Sequence, residues 1–205
     1  MYLLPPPPLK LLDLGCGTGW TSILFAKRGY EVTGVDISPD MIKHAKLNQT
    51  KERIKNIKFS VEDYEEMNFN KEFDIAIFFD SLHHAEDEQK ALSKIYKSLK
   101  RGGICICSEP GKGHSKNKET KDIVKKYGVT EKDMPPKKII KLGRKVGFKS
   151  FKVFPKPSLL NNLIYNKNAT YKYFLKITNK LINAIKIIYL LERYKMSSGI
   201  VAMYK

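Results

Sequence analysis

Leu11-Leu12-Asp13-Leu14-Gly15-Cys16-Gly17-Thr18-Gly19-Trp20 is the stretch that decides the fold. The apolar run before the glycines reads as a strand over residues 10–14, and the spacing after them as a helix over 20–28. Glycines at a strand-to-helix turn let the backbone approach a ligand closely, and the helix start offers N–H groups. A nucleotide-type ligand is therefore expected. The spacing narrows the choice: a dinucleotide loop needs glycine at the sixth position of G-x-G-x-x-G, and counting from Gly15 that position is Trp20. A phosphate loop needs Gly-Lys-Ser/Thr, which this stretch lacks.

Working outward, apolar strands and helical spacings alternate. Residues 31–37 read as a second strand ending near Asp36, 17 residues after Gly19, where an acid can accept hydrogen bonds from ribose hydroxyls. Ser38-Pro39 then starts a helix, with Ser as N-cap and Pro in the first turn. Residues 57–61 and 73–79 read as strands three and four, the latter an unbroken apolar run of the kind a parallel sheet buries on both faces. Residues 87–99 carry the helical period, Gly102-Gly103 closes that helix, and 104–107 is the fifth strand. Residues 111–133 read as a polar loop with some helix, 135–146 as a helix, 148–154 as a sixth strand and 198–203 as the last. A helical insertion is expected over about 156–196. The expected fold is thus a single α/β domain over 1–205 around a doubly wound, mostly parallel seven-stranded sheet. Residues 9–110 form its cofactor-binding half and 111–205 a substrate-side half.

The bulk composition bounds the rest. A chain of 205 residues with 42% hydrophobic content suits one packed core. Its net charge of +17 is uneven: residues 1–110 hold 15 basic and 16 acidic side chains, and residues 111–205 hold 23 and 5. Such a surface suits an anionic partner, yet 33 of the 38 basic residues are Lys, whereas phosphate readout favours Arg forks. Three cysteines, Cys16, Cys105 and Cys107, are too few for a disulfide framework, and a reducing, cytoplasmic setting is expected. Met1–Pro8 lacks the basic start of a leader, and no run reaches the ~20 apolar residues of a membrane span.

With these residues in place, the chain over 9–110 resembles the class I S-adenosylmethionine-dependent methyltransferases. The motifs that carry the resemblance are Asp13–Gly19, Val35-Asp36-Ile37-Ser38, Glu62-Asp63 after the third strand, Phe73–His84, and Leu99-Lys100-Arg101-Gly102-Gly103. The resemblance implies S-adenosyl-L-methionine as cofactor and S-adenosyl-L-homocysteine as product. It places Asp13 and the backbone of Gly15, Cys16, Gly17, Thr18 and Gly19 at the methionine portion, Asp36 at the ribose, and Ile37 and Met41 against the adenine. Asp63 and the Tyr64 backbone would meet the adenine amino group, and Asp80 and Ser81 the donor methyl. Members of the family usually carry helices before the first strand; here about nine residues precede it, so the basic half is expected to supply a cover, or the lid is missing.

Methyl transfer to a hydroxyl also needs a group to take a proton. The candidates at the carboxyl ends of strands four and five are His83, His84, Glu109 and His114. A metal set among His83, His84, Glu109 and Asp80 has no fixed ligand spacing, and the sequence assigns no metal. Base-amine methylation would want Asp/Asn-Pro-Pro-aromatic where Asp80-Ser81-Leu82-His83 stands, and cytosine methylation a Pro-Cys pair that is absent. The Asp80–Gly103 stretch looks most like the branch of that family that methylates small molecules, and the resemblance implies an acceptor such as a sugar, a lipid-linked group or a phenol, with peripheral membrane contact through the insertion left open. The alternatives are an RNA methyltransferase using the basic half, and a non-catalytic or partner-dependent cofactor-binding module.

Overall fold

The computed structural model describes residues 3–157, 188–189, 192–193 and 195–205, and the expected insertion falls mostly outside them. Seven strands form one sheet in the order β3-β2-β1-β4-β5-β7-β6. They are β1 (Lys10–Leu14), β2 (Glu31–Asp36), β3 (Ile57–Val61), β4 (Phe73–Phe79), β5 (Leu99–Ser108), β6 (Ser150–Phe154) and β7 (Ile200–Tyr204). The first five run parallel, and β7 pairs antiparallel with both β5 and β6.

Side chains along each strand alternate between the two faces. In β1, Leu11 enters a cluster with Ile23, Phe25, Ile42 and Ile75, beneath α1 (Trp20–Ala26) and α2 (Pro39–Lys51). Leu12 and Leu14 enter the opposite cluster with Phe78, Leu92, Ile95 and Ile139, beneath α3 (Glu88–Ser98) and α5 (Pro136–Val146). The sheet is covered on both faces, which is why β4 carries no alternation of apolar and polar residues. The chain leaves β1 toward β2 and β3, then crosses back to lay β4 on β1's other edge. Sheets of this kind bind ligands at that reversal, beyond the strands' carboxyl ends.

Capping follows the sequence. Ser38 Oγ accepts the Met41 N–H at the start of α2, and the Asp87 carboxylate accepts the N–H groups of Gln89 and Lys90 at the start of α3. The start of β5 differs from expectation. The strand expected at 104–107 begins at Leu99, because the two-residue step from Phe73 to Ile75 in β4 stands opposite a five-residue step from Leu99 to Ile104 in β5. Gly102, at φ 79°, absorbs the surplus as a bulge instead of closing the helix. The polar stretch after Gly111 contains α4 (Lys118–Tyr127), stopped by Gly128 at φ 65°.

Candidate functional site

The turn after β1 holds three glycines for three different reasons. Gly15 has φ 64°, and a Cβ there would lie 2.5 Å from the Cβ of Ser81, whose hydroxyl donates to the Leu14 carbonyl at 2.7 Å. The loops after β1 and β4 thus pass too closely for any side chain at 15. Gly19, at φ 79°, would drive a Cβ to 2.7 Å from the Phe59 ring. At Gly17 (φ 53°) a Cβ would meet nothing within 4 Å, so the missing side chain there leaves open space. The Gly17 N–H donates to Asp36 Oδ2 at 2.8 Å, and Asp36 Oδ1 accepts the Ser38 N–H at 2.9 Å. One carboxylate therefore ties the β1 turn to the start of α2.

Asp13 turns inward. It is 1% exposed, and its Oδ2 accepts both the Thr21 and Ser22 hydroxyls at 2.6 Å, which braces the first turn of α1 against β1. Burial raises its pKa above the usual carboxylate range. Cys16 is also buried, its N–H donating to the Val35 carbonyl at 3.0 Å and its thiol pushed up by burial. Thr18 is exposed on the turn and receives Asn48 Nδ2 on its carbonyl. Met41 sits partly exposed in the first turn of α2.

A cavity of about 640 Å³ opens at the sheet's reversal point. Gly15, Asp36, Ile37, Asp63 and Tyr64 line one side, Asp80, Ser81 and His84 another, and Gly128, Val129 and Thr130 the rim. A separate cleft among Leu3, Leu4, Asp74 and Arg101 lies at the amino ends of the strands, the end such sheets leave without ligands. Ile37 is 68% exposed at the end of β2, an apolar surface offered to the cavity. Asp63 Oδ1 accepts the Glu65 N–H at 2.7 Å. The Tyr64 ring stands edge-on to Phe78, its hydroxyl donates to the Ser81 carbonyl at 3.0 Å, and burial raises its phenol pKa. Asp80 adopts φ 49°, a strained value for a non-glycine residue, at the turn that follows β4.

Beyond Asp80 the imidazoles gather. Glu109, 1% exposed at the end of β5, accepts the N–H groups of Ser81 and Leu82 on Oε1 and that of His83 on Oε2. His83 Nδ1 lies 2.7 Å from the same Oε2, so this carboxylate fixes both the backbone and the ring of the turn. His83 Nε2 faces Glu131 Oε2 at 3.4 Å, and His114 Nε2 reaches that oxygen at 2.7 Å. His84 Nδ1 lies 2.8 Å from the Thr130 carbonyl, and its ring is 3.9 Å from that of His83. His84 is the imidazole that lines the cavity; His83 stands behind it, buried.

Glu131 is a site residue that sequence reasoning did not name. Its place is set by its neighbours: Lys132 Nζ donates to the carbonyls of Ala85 and Glu86, and Asp133 accepts the N–H groups of Gly113 and Ser115. Burial opposes ionisation of Asp133, but those two donors hold its pKa below the usual range. One signal was available: residues 111–205 contain only five acids, and two of them, Glu131 and Asp133, close on the histidine loop. Glu65, two residues after Asp63, is buried and accepts the N–H groups of Glu86 and Asp87. It pins the loop after β3 to the start of α3.

Comparison with known proteins points to one family. A family model described as a methyltransferase domain matches residues 7–180. Phosphoethanolamine N-methyltransferase 2 of Caenorhabditis elegans is 30% identical over 145 residues, 69% of this chain and 33% of the relative. A ubiquinone biosynthesis O-methyltransferase of Bradyrhizobium sp. is 34% identical over 100 residues, 49% of this chain and 39% of the relative. The chain thus spans about a third to two-fifths of the length of these curated relatives. Among solved structures, a Haemonchus contortus phosphoethanolamine N-methyltransferase 2 in complex with S-adenosyl-L-methionine superposes with TM-score 0.69 at 21% identity, covering 98% of this chain and 50% of that one. An S-adenosylmethionine-dependent methyltransferase from Mesorhizobium loti superposes with TM-score 0.68 at 17% identity, covering 100% and 94%. At these identities the two structures speak to the fold.

Proposed function

This chain belongs to the class I S-adenosylmethionine-dependent methyltransferase family, and on that premise we propose that it moves a methyl group from S-adenosyl-L-methionine to an oxygen or nitrogen of a small-molecule acceptor. The observation that supports this best is the join of Gly17 to Asp36 at the mouth of the 640 Å³ cavity. The residues present fit the cofactor. Open space stands at Gly17 where any other residue would project a Cβ, carboxylates at Asp36 and Asp63 suit hydroxyl and amino donors, and the exposed Ile37 suits a flat ring.

When bound, S-adenosyl-L-methionine supplies an electrophilic methyl group whose displacement leaves a neutral thioether. The protein's part is placement and proton removal. Asp36 holds the ribose while its backbone donors keep the carboxylate fixed. Asp80 and Ser81 border the space where the acceptor approaches, and Val129 and Thr130 close its rim against water. His84, exposed to that space with its Nδ1 anchored on the Thr130 carbonyl, takes the acceptor's proton on Nε2. His83, Glu109 and His114 position it.

Calorimetric titration of S-adenosyl-L-methionine and S-adenosyl-L-homocysteine, with NADH as control, tests the cofactor. Binding of the two sulfur ligands and not of NADH supports the reading, and folded chain that binds neither overturns it. Turnover across sugars, phenols and amino alcohols then tests catalysis. Binding without turnover, in the chain alone and with candidate subunits, would mark a cofactor-binding module instead. Turnover on RNA alone would move the acceptor to the basic half.

A further inference from the structure

We propose that His83, His84 and Glu131 form a binding site for one divalent transition-metal ion at the acceptor end of the cavity, with His114 alongside. The argument begins with the tautomers. A carbonyl oxygen only accepts, so the contact between His84 Nδ1 and Thr130 O, 2.8 Å, puts a proton on Nδ1 and leaves the lone pair on Nε2. Glu109 already accepts three backbone N–H groups, so its 2.7 Å contact with His83 Nδ1 makes Nδ1 the donor there too. In the neutral imidazole, an Nδ1–H directed at an oxygen leaves the lone pair of each ring on Nε2. A carboxylate or carbonyl behind each imidazole is how metal-binding histidines are oriented and made more basic.

The bare nitrogen of His83 does not face a donor. It faces Glu131 Oε2 at 3.4 Å, with the two side chains 5% and 8% exposed. Two lone pairs turned on each other in a buried place are costly unless a cation or a proton lies between them. Bonds of ~2.1 Å from nitrogen or oxygen to one ion would set neighbouring ligand atoms about 3.0–3.4 Å apart. One possible ligand atom from each of His83, His84 and Glu131 lies within 4.8 Å of the other two, and His84 also faces Glu131 Oε1 with Nδ1 at 3.7 Å. Two imidazoles and a carboxylate on one side of an ion, with positions left open, suit Zn²⁺, Co²⁺ or Fe²⁺ better than Mg²⁺ or Ca²⁺, which prefer oxygen throughout.

The fold gives the set an approach path, because His84 borders the cavity while His83 is enclosed. An ion there would face Asp80 and Ser81, where an acceptor lies on the methyltransferase reading. An ion held on His84 Nε2 would use that lone pair, so on the methyl-transfer reading, on which this inference rests, the ion replaces His84 as the means of removing the acceptor's proton. It narrows the acceptor to one that offers an oxygen ligand, such as a hydroxyl or an enol, whose acidity the ion would raise.

The test uses the full chain without a histidine tag, stripped with chelator. Zn²⁺ is titrated by calorimetry and Co²⁺ by visible absorption, with S-adenosyl-L-homocysteine titrated separately. One ion per chain is expected, with Co²⁺ bands of a nitrogen and oxygen environment. Affinity should fall at least about 100-fold in Glu131→Gln and in His84→Gln, beyond the 10–100-fold typical of residues behind the ligands. Circular dichroism should be unchanged in His84→Gln. Absence of Zn²⁺ heat and Co²⁺ bands in folded chain overturns the site, as does binding that both variants retain. Metal binding without S-adenosyl-L-homocysteine binding would keep the site and remove the methyltransferase reading; the reverse result would keep the reading and remove the site.

Discussion

Asp36 accepts the Gly17 N–H at 2.8 Å, so the acid that ends β2 and the glycine turn that follows β1 form one unit. Its second oxygen holds the Ser38 N–H, at the N-cap of α2. Losing this carboxylate should therefore damage the cofactor site more than the fold. Asp36→Ala is expected to weaken S-adenosyl-L-methionine binding by about 10–100-fold, the equivalent of one or two hydrogen bonds to a charged group. Titration calorimetry reads the affinity, and urea unfolding reads the smaller loss of stability.

Gly15 and Gly17 should respond differently to the same substitution. Gly15→Ala forces a Cβ to within 2.5 Å of Ser81 and keeps a positive φ, a combined cost of about 2–4 kcal/mol in unfolding free energy. Gly17→Ala meets no neighbour within 4 Å, so it should cost only the ~1–2 kcal/mol of a left-handed alanine. Its methyl would occupy space proposed for the cofactor, and binding should weaken more than stability does. Chemical denaturation and ligand titration of the two variants separate the cases.

Asp13 receives two hydroxyl bonds and is buried at the foot of α1. Asp13→Ala strands the Thr21 and Ser22 hydroxyls and is expected to destabilise the chain by about 2–4 kcal/mol. Asp13→Asn keeps one acceptor and should lose less. Thermal unfolding of both variants checks the order.

Glu88 carries the acid dependence of the α3–α5 contact. Burial opposes its ionisation, but Lys138 at 2.7 Å and Lys132 at 3.3 Å hold its pKa below the ordinary 4.5. A depressed folded pKa means the stabilisation is present above pH 4.5 and is lost as the pH falls through the lower folded value. The difference in Tm between wild type and Glu88→Gln should therefore be full at neutral pH and shrink on acidification below 4.5. A gap independent of pH would contradict this ion-pair account.

The first strands and turns of the fold were legible because their signals are local. The glycines of 15–19, Asp36 at a strand end and Ser38-Pro39 at a helix start each act within one turn, so spacing along the chain carries their geometry. Strand boundaries were harder. The bulge at Gly102 depends on β4 lying alongside, and a glycine pair reads equally well as a helix stop. Expectations for the insertion between β6 and β7 concern residues outside those described.

The sequence by itself determined the doubly wound architecture and the place of the cavity, because hydrophobic period, caps and glycine turns are short-range properties that survive without tertiary context. It named His83, His84, Glu109 and His114 as neighbours of one strand end, but not what each one touches. Only the tertiary structure turned Asp13 inward to two hydroxyls, aimed Glu109 at the back of His83, and brought Glu131 across from a segment 47 residues beyond His84. Those pairings depend on which loops the sheet order places side by side. A carboxylate's partner across such a distance is set by the packing of β4, β5 and the segment after α4, and no periodicity in the chain records it.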